Sequence, residues 1–497
     1  MWIMKKYILV SLSLLLTFSV WGRDYNIVTQ GKAVGDGKTL NTKRIQQAID
    51  LLAGKGGGRI VFPKGIYLSG CIQLKSGIEL SFEKEAVLLG STNPDDYYPL
   101  EEDKENANAN DNSKLALILG YNVKNISLNG EGSIDGQGLE LALNIDSLHH
   151  AGARIDSHYN MRRMRPSETV RPKLFLLSEC GNISISGLHL RNSACWGLTF
   201  DLCSDLVIDQ VFMENRAYWN NDGFDITDCR RVRITRCNVN AADDGICLKS
   251  YHPDACNDSI YIADCEVRSS ASAIKFGTAS WGGFKNITID NIRVFDTFRS
   301  AIAIESVDGG DIENIKVNRI TAKNTGNAFF IRLGHRAGEH VGTIKNLFIK
   351  DMNVEVPFDR PDINYDLRGP EVDFFHNPFP SSIAGIPGHC IEGVHLENIE
   401  ITYPGRATKG MAYIPLSRLK QVPEQVDKYP EFSMFGELPS WGFYFRHAKD
   451  VTLKNVRLNL SEPDYRPAII LDDVKGDSLE QVSLPSDYKE QIIRVNN

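Results

Sequence analysis

Short stretches of alternating apolar and polar residues dominate the chain, and one kind keeps returning: NISISGLHL, DLVIDQVFM, RVRITRCNV, SIYIADCEV, NITIDNIRV, NIKVNRITA and NLFIKDMNV, then later GVHLENIEI and DVTLKNVRL. Such alternation puts one face of each segment in a core and leaves the other in water. The first aliphatic residues of successive segments, Ile183, Leu206, Val232, Ile260, Ile287 and Ile315, are separated by 23, 26, 28, 27 and 28 residues. A unit this short cannot enclose a core alone, so the units must stack, each covering the strand edges of the next. They are shorter than the roughly 40 residues of a propeller blade and lack its hairpins. The pattern predicts an all-β chain folded as a right-handed parallel β-helix. Ahead of it, KTLNTKRIQQAIDLLAGKGGG predicts a short capping helix with Thr42 as N-cap, Ile45, Ala48, Ile49 and Leu52 on one face, and Gly54 at its stop.

The period breaks between 355 and 445, where EVPFDRPDINYDLRGPEVDFFHNPFP and MFGELPSWGFYFRH are rich in Pro, Phe and Tyr. This predicts a long loop insertion over one flank of the solenoid, the kind of feature that shapes a binding face. At the other end, Lys5 and Lys6 precede the apolar run YILVSLSLLLTFSV, and Val20 and Gly22 offer small residues for cleavage. Residues 1–22 are therefore expected to be a signal peptide, with one β-helix domain over 23–497. The run is shorter than the ~20 apolar residues that span a bilayer. A periplasmic or secreted protein with no membrane partner after signal removal is the expectation.

Composition narrows the function. A chain of 497 residues, 42% hydrophobic and 24% charged, has ample material for a large core. Its net charge of −8 offers no basic stripe for nucleic acid. The ten cysteines are spread along the chain; Cys180, Cys203 and Cys229 each lie three residues before a strand start, which predicts a stacked column of small apolar side chains. Zinc would want close cysteine pairs, and none occurs. No metal and no cofactor are expected.

Candidate chemistry comes from a second strand of each unit. DGFDIT from Asp222, DGICLK from Asp244, SAIKFG from Ser272, SAIAIE from Ser300 and NAFFIR from Asn327 align, so their first residues would form one column with neighbours ~4.8 Å apart. Asp222, Asp244 and Ser272 then stack on one face with Asp243 beside them. Crowded carboxylates resist ionising together, so one keeps its proton while others stay charged, the division of labour that an acid–base hydrolase needs. Two plainer readings stay open: Asp-Gly pairs as turn formers, and calcium held by the three acids.

NNDGFDI together with NAADDGICLKS resembles the N-x-D and D-D motifs of glycoside hydrolase family 28, the polygalacturonase family. The likeness extends over GDGKTLNTKRIQQAID, GGGRIVFPKGIYLSGCIQLKS and the solenoid. It implies a right-handed β-helix that hydrolyses pectic polysaccharide or oligosaccharide with inversion. By position, Asp243 would be the general acid, Asp222 and Asp244 would hold and deprotonate water, and Asn220 would belong to the substrate-binding N-x-D motif. The family's G-H-G motif falls on ASA, with Ser272 in place of histidine, and its R-I-K motif falls on AIE, with Ala303 and Glu305 in place of the cations that hold a galacturonate carboxylate.

Two explanations compete: other cations replace them, or the sugar in the main subsite is neutral or differently linked. Lys249 and Arg332 share the column of Glu305, and Lys275 shares that of Ala303. Flanked by Ile274 and Phe276, Lys275 must face the groove if they face the core. Glu305 would either touch substrate or pair with Arg332 one coil away. His335 and Arg336, Arg446 and His447 are further groove candidates, and Trp219 and Trp281 candidate sugar platforms. Two rivals remain: a polysaccharide lyase on the same solenoid, which would leave unsaturated ends absorbing in the ultraviolet, and a glycan-binding solenoid without catalysis.

Overall fold

The computed structural model of the protein describes residues 24–101, 113–362, 379–412, 414–485 and 491–496. The predicted signal peptide lies outside them. The described strands form a right-handed parallel β-helix. Ile183 pairs with Leu206, Leu206 with Val232, Val232 with Ile260, Ile260 with Ile287 and Ile287 with Ile315, and the column continues through Leu347, Val394 and Val451. All nine recurring segments are thus stacked in one register.

The reason for that register is visible one residue earlier. Asn182, Asp205, Arg231, Ser259, Asn286, Asn314 and Asn346, each just before the first aliphatic, all adopt positive φ. Asn and Asp tolerate this left-handed conformation best, so each coil turns at the same place. Inside, like stacks on like: Phe175, Leu198, Phe224, Ile246, Ile274, Ile302 and Phe329 form one inward column. Each is fully buried, a gain of about 1.5–3 kcal/mol per large apolar side chain relative to exposure. Cys203 lies against both Cys180 and Cys229, so the expected cysteine column exists, and all ten cysteines are free.

Helix α1, Thr42–Ala53, covers the N-terminal end with Ile45, Ala48, Ile49 and Leu52 buried and Gly54 as its C-cap. Its N-cap is Asn41, one residue before the expected Thr42. The Thr42 hydroxyl instead accepts from the Gly70 N–H at 2.8 Å, while the Asn41 side chain is occupied with Val34 and Thr39. A second helix, α2 (Gly138–His150), buries Leu141, Ala142 and Ile145; the strand alternation before it gave no hint of it.

The segment 355–445 is not one insertion. Strands Ser381–Ala384 and Ile391–Tyr403 continue the solenoid inside it. What remains within the described residues is chiefly the loop 404–442, which folds onto the outward face of the C-terminal coils. Phe330, Ala384, Tyr444 and Ile470 point outward from their strands and are buried against Ile414, Leu419, Val422, Phe432, Phe435 and Leu438.

Candidate active site

Strands Phe224–Thr227, Ile246–Ser250 and Ile274–Ser280 pair Phe224 with Ile246 and Ile246 with Ile274. Asp222, Asp244 and Ser272, each two residues upstream, therefore stand in one column. Backbone bonds lock it: Gly223 N–H to the Asp244 carbonyl and Gly245 N–H to the Ser272 carbonyl, both 2.9 Å. Asn215 Nδ2 holds the Asp222 carbonyl at 2.8 Å, and Ser269 Oγ holds that of Asp243 at 2.6 Å. The glycines serve close coil contact rather than a turn. A Cβ on Gly223 would lie 2.4 Å from the Gly245 carbonyl oxygen, and one on Gly245 would lie 2.5 Å from that of Ala273.

The three acids keep only a narrow solvent edge: Asp222 is 3%, Asp244 5% and Asp243 8% exposed. Lys249 Nζ sits 2.8 Å from Asp222 and also bonds Asp225, with the Trp196 ring beneath it at 3.6 Å. Lys275 Nζ sits 3.0 Å from Asp244 and 3.2 Å from the Tyr429 hydroxyl, and Ser272 N–H donates to Asp244 at 3.1 Å. Arg299 pairs with Glu431 at 3.0 Å. Burial, reinforced by Asp225, Asp243 and Asp244, pushes Asp222 well up although Lys249 opposes it. Burial also works against Asp244, yet Lys275, Arg299 and Lys249 together outweigh it and hold this carboxyl below the usual range. Burial and neighbouring charges thus drive the two carboxyls of this column in opposite directions. Between Asp222 and Asp225 lies the Lys249 ammonium.

Of the other expected site residues, Lys275 and Lys249 face the acids, and Lys275 shares its register with Ala303 as expected. Glu305 lies close enough to Lys275 and Asp244 to feel both, and burial raises its carboxyl to about 8 against the pull of Lys275. Its partner is not Arg332, although the two are register neighbours. Arg332 turns toward the loop and donates to the carbonyls of Ala384, Gly385, Glu424 and Gln425. Those acceptors are uncharged but numerous, so they hold a guanidinium without a carboxylate. Asn220 Oδ1 accepts from Arg171 at 2.8 Å. The His335 ring meets the Gly338 carbonyl at 3.2 Å, outside the acid cluster. Arg336 is bound to Asp308, Arg446 to Glu424 and Asp472, and His447 to Glu424 and Asp473. Arg163 and Arg165 lie over Trp219 at 5.1 and 4.2 Å, and Trp281 N–H donates to the Ser250 carbonyl.

Five residues at the site escaped the sequence reading. Asp225 was inside a quoted motif, and its alternation with Asp222 was the available signal. Arg299 occupies the position just before the column, as Asp243 does one residue before Asp244. Tyr429 and Glu431 come from a non-repeating segment and carried no signal, whereas Trp196 stands two residues before Leu198, one coil before Asp222 in the same column.

Fold and site together are a parallel β-helix with acids stacked in the turns just ahead of consecutive strands. Residues 57–357 match the model of glycosyl hydrolases family 28, and the chain belongs to that family. It is 26% identical over 330 residues to a probable polygalacturonase of Vitis vinifera, covering 65% of this chain and 59% of that protein. It therefore spans about three-fifths of that relative's length. It is 27% identical over 316 residues to endo-xylogalacturonan hydrolase A of Aspergillus tubingensis, covering 60% and 69%. Among solved structures it resembles a family 28 exopolygalacturonase of Yersinia enterocolitica, with a TM-score of 0.67, 19% identity and coverage of 92% and 78%. An exopolygalacturonase from Thermotoga maritima gives 0.59, with 19% identity and coverage of 77% and 87%.

Proposed function

We propose that the protein is an exported glycoside hydrolase that cleaves O-glycosidic bonds of pectic polysaccharide or oligosaccharide by an inverting acid–base mechanism. Asp244 is the water-activating carboxylate: it is the acid kept charged, and the Lys275 contact at 3.0 Å carries this reading. Asp222, sharing Lys249 with Asp225, orients the same water. Asp243, the most exposed of the three, protonates the leaving oxygen. The added water ends on the anomeric carbon from the face opposite the departing group, which gives inversion.

The loop 404–442 supports attack from a chain end. It buries the outward faces of the coils beyond Glu305, so a polymer has no continuous path along the C-terminal side of the acids. Export is supported by the charged and apolar N-terminal pattern; among the described residues no helix is long and apolar enough to cross a membrane.

The test is digestion of pectic fragments with products followed by mass and ultraviolet absorbance. Products heavier by one water, released singly or in short units from an end, are expected. Unsaturated products would replace hydrolysis by elimination, and no cleavage of any fragment would favour a binding role. An early ladder of mixed lengths would refute chain-end attack.

A further inference from the structure

The charges around the acids leave nothing to receive a substrate carboxylate. Lys249 is shared between Asp222 and Asp225, Lys275 is on Asp244, and Arg299 is on Glu431. Each of these cations is already matched by at least one protein carboxylate, and Asp243 and Glu305 come in addition. A uronate entering here would bring a charge into a buried cluster whose cations Lys249, Lys275 and Arg299 are already taken, which is strongly unfavourable without a partner.

Glu305 points to what the site takes instead. It is 2% exposed, and its Oε2 has no hydrogen-bond partner among the described residues. A buried polar atom left unpaired in a folded protein costs about 1–3 kcal/mol and calls for a partner supplied from elsewhere. Its carboxyl rests over Gly277, where a Cβ would come within 3.5 Å of Oε2, and next to Lys275. Tyr429 stands above, its hydroxyl pinned on Lys275 and its side chain half exposed. An aromatic ring fixed by its polar end and open on one face suits the apolar face of a sugar.

We propose that the subsite formed by Glu305, Lys275 and Tyr429 takes an uncharged glycosyl unit, with a sugar hydroxyl completing the hydrogen bonding of Glu305 and a sugar face on the Tyr429 ring. The inference rests on the hydrolase reading for the location of the subsite, but not for its charge preference. The expected substrate is accordingly a pectic chain in which a neutral sugar occupies the position next to the acids on the Lys275 side.

The experiment is calorimetric binding to full-length Asp243→Asn, which removes turnover, with two probes: a galacturonate tetrasaccharide, and the same tetrasaccharide after reduction of its carboxyl groups to primary alcohols. The reduced probe is expected to bind at least tenfold more tightly. Glu305→Ala in that background should weaken the reduced probe about tenfold, and Glu305→Gln, which keeps a donor and an acceptor, should stay within about threefold. Equal or tighter binding of the galacturonate probe, or no binding of the reduced one, overturns the inference. If the reduced probe binds as expected while the wild-type enzyme cleaves no fragment, the hydrolase reading fails and the subsite assignment stands.

Discussion

Replacing Lys275 by Met removes a cation from a pair in which both groups are almost wholly buried. At 3.0 Å and an effective dielectric of about 20, the attraction is about 5 kcal/mol before desolvation is counted. Breaking one partner of such a pair costs about 3–5 kcal/mol of stability, because the other charge is stranded. Asp244 then feels burial with only Arg299 and Lys249 to oppose it, so its pKa rises. In the wild type, the depressed folded pKa contributes stability above the unfolded value near 4, lost as pH falls through the folded pKa. In Lys275→Met this contribution shrinks, so the variant loses less stability than the wild type as pH falls toward 4 and below. The acid limb of kcat/KM should move up by at least one pH unit, measured as a pH–rate profile with denaturant unfolding at pH 4.5 and 7. Lys275→Met combined with Asp244→Asn should cost clearly less than the two single losses added together. An unmoved acid limb with a stability loss under 1 kcal/mol would refute the assignment of Lys275 as the group that keeps Asp244 charged.

Glu305 offers the opposite slope. Its carboxyl is raised to about 8 by burial while facing Lys275, Asp244, Arg299 and Glu431, so the stability it contributes is complete below about 4.5 and lost as pH rises through 8. That loss is on the order of 5 kcal/mol. Glu305→Gln should flatten thermal unfolding between pH 6 and 9, and an unchanged slope would count against a buried neutral carboxyl. Gly245→Ala forces a methyl to 2.5 Å from the Ala273 carbonyl oxygen and from Val267; a loss of about 1–3 kcal/mol in chemical unfolding is expected, together with reduced turnover because Asp244 shifts. Tyr429→Phe, which removes only the hydroxyl on Lys275, should lower kcat/KM severalfold while leaving the melting temperature within a few degrees.

Those expectations draw on features of unequal legibility. The solenoid was readable because the apolar alternation recurs at nearly constant spacing, from Ile183 to Ile315. The acid column was readable for the same reason: a parallel register copies sequence alignment into space, so Asp222, Asp244 and Ser272 fall in line. What lies across that column was not. Arg332 could be assigned a column but not a partner, since two of the four carbonyls that capture it belong to a loop more than 90 residues away. Tyr429 and Glu431 reach the acids through that same loop, whose docking depends on Phe330, Phe432 and Phe435 packing together. Helix α2 follows directly on a strand-like run, and only its buried Leu141 and Ile145 distinguish it.

The turnover of Asp243→Asn, measured beside its near-ultraviolet circular dichroism and melting temperature, bears most directly on whether the stacked acids perform the hydrolysis. A fall in kcat of at least about 10²-fold with the fold and melting temperature preserved is expected. Turnover close to that of the wild type would contradict the account.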